Sequence, residues 1–162
     1  IRITDARGPL CLSNVGVYDA GNVSDSFVEK VEDIESVPYL LPDVKAEEAA
    51  KVSDKQAQTT CFVEGDRLLI DLQEERLVSS LHFLPDQGEP NKGLIANYEI
   101  RVGTSKDAVN QLVKSGEFSN IQNNPVMQSV FFTPVKARYI ELKATRMIHA
   151  GEPMGLAELG VK

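Results

Sequence analysis

Apolar and polar positions alternate with period two through most of the chain beyond residue 66. Leu68, Ile70 and Leu72 fall on one side of a run whose other side carries Leu69 and Asp71, and Leu81 and Phe83 flank His82. Tyr98, Ile100 and Val102 alternate with Glu99 and Arg101, and Val130 and Phe132 interleave with Ser129 and Phe131. Ile140, Leu142 and Ala144 alternate in the same way with Tyr139, Glu141 and Lys143. Successive side chains of a strand point to opposite faces, so each run predicts a strand with one buried and one solvated face. Short strands at regular spacing, with Gly, Pro, Asn or Asp between them, predict an all-β fold, an antiparallel sandwich or barrel.

Two segments break the rhythm. KAEEAAKV (45–52) is rich in Ala and Glu and follows Pro42 and Asp43, which predicts two helical turns. SKDAVNQLVKSG (105–116) reads as a turn followed by a strand. The stretch 21–38 is acidic and poor in bulky apolar residues, the mark of a linker or an irregular lead-in. The closing phrase LAELGVK (156–162) is echoed near the start by LSNVGVY (12–18), and each follows a short alternating run. The expected organisation is therefore the tail of a preceding β module plus a lead-in over 1–37, then the main module over 38–162. On this reading the chain is a piece of a longer protein.

Composition narrows the classes. A length of 162 residues suits one domain with a single core, and 42% hydrophobic with 25% charged residues is globular. No window approaches the roughly 18 consecutive apolar residues of a membrane span. The opening IRITDARG has no signal-peptide pattern, so it neither supports nor excludes secretion. A formal charge of −7 disfavours phosphate-rich partners, nucleic acid or anionic membrane. Cys11 and Cys61 fit no zinc or C-x-x-C spacing, which leaves a disulfide or two buried thiols. Asn22-Val23-Ser24 is a formal glycosylation sequon. Neither G-x-S-x-G, a P-loop, G-x-G-x-x-G nor H-E-x-x-H occurs, and no spacing selects a pair of carboxylates for glycoside hydrolysis. The chain is expected to be non-catalytic.

One ordered set of motifs carries more. Asp54 precedes Thr59 by five residues, Phe62 follows, and a strand ends in Ile70-Asp71-Leu72. Then come Leu84-Pro85-Asp86-Gln87, Tyr98-Glu99-Ile100, Gly116-Glu117-Phe118, Ala137-Arg138-Tyr139-Ile140 and Ala157-Glu158-Leu159. In order and spacing this resembles the discoidin, or coagulation factor five/eight type C, family, whose bacterial branch includes the family 32 carbohydrate-binding modules. The resemblance covers roughly residues 38 to 162 and implies a jelly-roll, galactose-binding-domain-like β-sandwich. Attached to a bacterial glycoside hydrolase such as an α-L-fucosidase or hexosaminidase, such a module would be extracellular or periplasmic. Departures from the family pattern are Lys55 after the Asp, Cys61 or Phe62 where a Trp is usual, Asp86 in place of an Arg, and the absence of any Trp.

The resemblance also implies a structural calcium. Carbonyls of Lys51, Gln56 and Ala157, carboxylates of Asp54 and Glu158, and the carbonyl and hydroxyl of Thr59 would hold it. Calcium takes about six to eight such oxygens at roughly 2.3 to 2.6 Å. The plainer alternative is that Asp54 caps a turn and Glu158 lies on a strand surface. Sugar recognition would fall to the loops 39–45, 84–93 and 146–155, with Tyr39, Asp86, Gln87, Asn91 and His149 as candidate contacts. The expected ligand is a glycan ending in galactose, fucose or N-acetylhexosamine. Two other readings compete: a structural or protein-interaction sandwich that packs against a catalytic neighbour, and a phospholipid-binding module using Met147, Ile148 and Met154. Net charge disfavours the last.

Overall fold

The computed structural model describes residues 36–162 apart from Glu89. Expectations for residues 1–35, including the opening phrase, Cys11 and the Asn22 sequon, lie outside the described residues. Six strands follow in order: β1 (Cys61–Val63), β2 (Arg67–Pro85), β3 (Ile95–Gly103), β4 (Gln111–Glu117), β5 (Gln128–Met147) and β6 (Met154–Val161). All pair antiparallel, in the order β1-β6-β2-β5-β3-β4.

The runs around 68–72 and 81–83 are two halves of one strand, and so are those around 129–132 and 140–144. Register breaks between Asp71 and Arg76. On one side of the break Leu81–Pro85 of β2 pairs with β6, and on the other Tyr139–Met147 of β5 pairs with β3. The two long strands arch from one layer into the other, so a single ladder folds on itself into the expected sandwich. Gln73 takes φ 68° at the arch, and its N–H donates to Asp71 Oδ1 at 2.8 Å. Arg138 clamps the same carboxylate through Nε at 2.9 Å and Nη2 at 3.1 Å. That bond, before any other cause, holds the Asp71 carboxyl below its ordinary pKa.

The apolar faces read from the sequence are the core. Leu68, Ile70, Leu72, Leu81, Phe83 and Ile140 belong to one contiguous cluster. Phe118 stacks on Tyr98 at 4.3 Å between ring centroids and lies 5.0 Å from Phe83. β6 departs from alternation, because all eight of its residues are buried. Its outer side is covered by the lead-in: the Tyr39 hydroxyl donates to the Leu159 carbonyl at 2.7 Å. Val37 N–H donates to the Val161 carbonyl at 2.9 Å, so contact with the sandwich already begins before residue 38.

The predicted helical turns form as α1 (Ala46–Ala49) running into a 3₁₀ turn at Ala50–Ser53. The 105–116 stretch is a 3₁₀ turn (Lys106–Ala108) followed by β4, as expected. Cys61 is a buried free thiol on β1. Pairing of Phe83 with Gln128, Pro85 with Leu156, Ile95 with Met147 and Asn97 with Glu117 brings three connections together at one end of the sandwich. These are the loops after β2, after β4 and after β5.

Candidate functional site

The loop after β2 is built around Asp86. Its carboxylate is only 6% exposed and accepts from Thr60 Oγ1 at 2.7 Å, Lys92 N–H at 2.9 Å and Gly88 N–H at 3.2 Å. Asn91 Nδ2 donates to the Asp86 carbonyl at 2.7 Å. Gln87 Nε2 reaches the carbonyls of Pro85 at 2.8 Å and Pro125 at 2.7 Å, fastening this loop to the one after β4.

Glycine brings the loop after β5 against it. A Cβ on Gly93 (φ +65°) would meet the Pro153 carbonyl oxygen at 2.2 Å, and one on Gly155 would meet the Lys92 carbonyl oxygen at 2.5 Å. The bare backbones instead bond, Gly155 N–H to the Gly93 carbonyl at 2.9 Å. Glu152 Oε2 accepts from Gly93 N–H at 2.9 Å. His149 stands exposed on the same loop.

The expected sugar contacts therefore divide. Asn91 and His149 lie on loops that meet, and Asn91 keeps its Oδ1 free of the Asp86 bond. Asp86 turns inward and bonds Thr60 and loop backbone, while exposed Gln87 commits its amide nitrogen to the carbonyls of Pro85 and Pro125, so both brace the loop. Tyr39 sits elsewhere, against β6, with its ring packed on the core and its hydroxyl pKa pushed up by burial first and by Glu158 second. It borders a cavity of about 680 Å³, which lies beside Leu41, Ala49 and Leu159 and away from the joined loops. The aromatic at the loop end is Phe62, 39% exposed on β1 between buried Cys61 and Val63. Its ring edge lies 3.2 Å from where a Gly155 Cβ would stand. Cys61, Phe62 and Val63 are all apolar, so nothing in the sequence marked Phe62 as the exposed one, and a three-residue strand offers too short a period to assign a face.

A second arrangement forms at the flank. Asp54 ends the 3₁₀ turn, its Oδ2 accepting from Thr59 Oγ1 at 2.7 Å and its Oδ1 from Gln56 N–H at 2.8 Å. The Gln56 carbonyl accepts from Thr59 through Oγ1 at 2.9 Å and N–H at 3.1 Å. Lys55 adopts φ 61°, the left-handed region that glycine occupies most easily. This turn packs against β6, where Ala157 is fully buried and Glu158 is 3% exposed. Lys51, in the 3₁₀ turn, directs its ammonium away to Glu48 at 2.7 Å, which leaves its carbonyl as the relevant group.

Glu158 Oε1 is buried with no hydrogen-bond partner among the described residues. Burial first, then the nearby Asp54 charge, pushes its carboxyl pKa up to about 7. Among the described residues no three His, Cys, Asp or Glu side chains converge, so an ion here would depend on carbonyl and hydroxyl oxygens. Two neighbouring carboxylates, one with an orphaned buried oxygen, beside an oxygen-rich turn, fit a hard cation.

No family model and no curated protein matches the sequence. Solved structures do. A glycoside hydrolase 29 family member from an unknown rumen bacterium is 30% identical over 62% of this chain, with a TM-score of 0.56. The match spans only 18% of that protein. A family 32 module of Clostridium perfringens, solved with GalNAc-β-1,3-galactose, is 17% identical with a TM-score of 0.61, covering 76% of this chain and 93% of the module. The family 32 module of NanJ from the same organism, solved with galactose, is 24% identical over 76% of this chain and 91% of its own, with a TM-score of 0.59. The fold is thus a discoidin-like antiparallel β-sandwich. It is the fold of the family 32 carbohydrate-binding modules of bacterial glycoside hydrolases and lyases.

Proposed function

We propose that this chain is a non-catalytic carbohydrate-binding module, carried by an extracellular glycoside hydrolase and clipped by a structural calcium. The observation that carries the reading is the junction of the 84–93 and 146–155 loops beside exposed Phe62, on a fold used by sugar-binding modules. Phe62 offers a ring for the C–H face of a terminal galactose, fucose or N-acetylhexosamine, while Asn91, Glu152 and His149 supply polar groups. Weak binding per site suffices, because tethering raises the local concentration of glycan around the attached enzyme. Lys51, Asp54, Gln56, Thr59, Ala157 and Glu158 would hold the calcium, which would pin the turn after α1 to β6 and take no part in chemistry.

Calorimetric titration with the three sugar types tests the binding. Millimolar binding of one type that is lost in Phe62→Ala and in Asn91→Ala with His149→Ala, at unchanged melting temperature, is expected. Binding that survives all three substitutions would move the site away from these loops. A folded protein that binds none supports the second reading, a spacer packed against its catalytic neighbour. Leu77 (70% exposed) and Phe131 (66% exposed), apolar side chains presented to solvent on β2 and β5, favour that alternative.

A further inference from the structure

The connection after β4 forms a cleft that no part of the proposed module function uses. Phe118 and Ile121 anchor it: both are buried in the core, and Phe118 N–H donates to the Ala96 carbonyl at 2.9 Å. Between and beyond these anchors the chain is braced by its own bonds. Asn123 and Asn124 N–H groups both donate to the Asn120 carbonyl, at 3.0 and 2.9 Å, and Asn123 Nδ2 donates to Asn120 Oδ1 at 2.8 Å. Asn120 takes φ 60°, which turns the backbone and presents 122 and 123 outward. Gln87 Nε2 ties the far side down through the Pro125 carbonyl. The turn is held from both ends before any ligand arrives, which lowers the ordering cost of binding.

Across the cleft, Arg146 is oriented by a bond from Nε to Asn97 Oδ1 at 2.6 Å, leaving both terminal nitrogens available. The side chains of Glu117 and Gln122 have no hydrogen-bond or ion-pair partner among the described residues. Ala96 and Ile148 form an apolar floor. The volume is about 260 Å³, just under the ~300 Å³ where pockets for drug-sized ligands begin, a scale that suits one ring rather than a chain. One guanidinium and one carboxylate face the same space without pairing, so an anion meets Glu117 and a cation meets Arg146. A neutral polyol suffers neither repulsion, and its hydroxyls can donate to Glu117 and accept from Arg146 and the Gln122 amide.

We propose that the cleft between the 117–123 turn and the end of β5 is a second binding site, for a single neutral sugar residue. The inference rests on the carbohydrate-binding reading, but on different residues. It is tested by following the backbone amides of the full chain by NMR during titration with galactose, N-acetylgalactosamine and glucuronate. With a neutral sugar, shifts are expected at Gln122 and Asn123 as a set separate from those at Asn91 and Glu152. Gln122→Ala, and independently Arg146→Ala, should weaken the 122–123 response at least tenfold and leave the Asn91 response intact. Gln122 is an exposed turn residue, so that variant keeps the test available should Arg146→Ala disturb folding. Shifts confined to 91 and 152 overturn the second site and spare the first, whereas silence at both positions with all three sugars overturns both. A 122–123 response to glucuronate alone overturns the neutral-sugar assignment.

Discussion

Asp86 and Glu158 are both carboxylates sunk into the sandwich, 6% and 3% exposed, and they are satisfied in opposite ways. Asp86 gathers three donors from its own loop and from Thr60. Glu158 keeps one oxygen, Oε1, buried without a hydrogen-bond partner among the described residues, although the Gln56 and Lys55 backbone N–H groups act on the carboxyl, and a second carboxylate lies close enough to raise its pKa. A buried charge costs several kcal/mol unless compensated, so each site must be completed somehow. Asp86 is complete within the chain and acts as a stitch. Glu158 is complete only with an added cation, or with a proton. Buried acidity alone therefore does not distinguish the two positions; an oxygen without a partner does.

The sharpest way to break this comparison is to remove each carboxylate. Asp86→Ala strips three donors of their acceptor and unstitches the loop, and should cost about 3 kcal/mol in urea denaturation, with or without calcium. A loss below about 1 kcal/mol would mean that the loop is held by its glycine contacts instead. Glu158→Ala should abolish a calcium-induced stabilisation of about 2.7 kcal/mol, the value for an ion at a hundredfold excess over its Kd. Equal melting of the wild type in calcium and in chelator would remove the metal from the proposal.

The comparison sharpens with pH. The folded-state pKa of Glu158 lies near 7 against an ordinary 4.5. The folded state therefore holds this proton more tightly than the unfolded chain. In chelator the resulting stability is fully present below pH 4.5 and is lost as pH rises through 7. Glu158→Gln lacks that titration, so in chelator it should gain on the wild type steadily between pH 5 and 8. In calcium the order should reverse at pH 8. A pH-independent difference between the two proteins would refute the assignment of the raised pKa.

The smallest effect concerns Tyr39. Tyr39→Phe leaves the Leu159 carbonyl without its side-chain donor and should cost about 1 kcal/mol. Sugar titrations should be unchanged, because the ring lies against β6 rather than at the joined loops. Any loss of glycan affinity would return Tyr39 to the binding surface.

Much of the fold was legible along the chain. Alternation at 68–72, 98–102 and 140–144 assigned both strand and buried face, because burial on a strand is a property of every second residue. That the 68–72 and 81–83 runs belong to one strand was not legible. At the arch between them Arg138, 67 positions from Asp71, clamps its carboxylate. The order of Asp54, Thr59 and Glu158 likewise drew attention to the flank, since all six residues expected around the calcium lie in two short segments, 51–59 and 157–158. At the loop end the sequence alone was less informative. Asp86, Gln87 and Asn91 are polar residues in a polar loop, and only their hydrogen-bond partners distinguish an inward stitch from an outward contact.

Local spacing, then, determined the strands, their buried faces and the acidic turn, for these follow from periodicity over a few residues. Tertiary structure alone decided which polar groups remain unmet. Asp86 has three donors, two from its own loop and one from Thr60, whereas Glu158 Oε1 has none among the described residues. Gly93 and Gly155 let the 84–93 and 146–155 backbones touch beside Phe62, where any side chain would hold them apart.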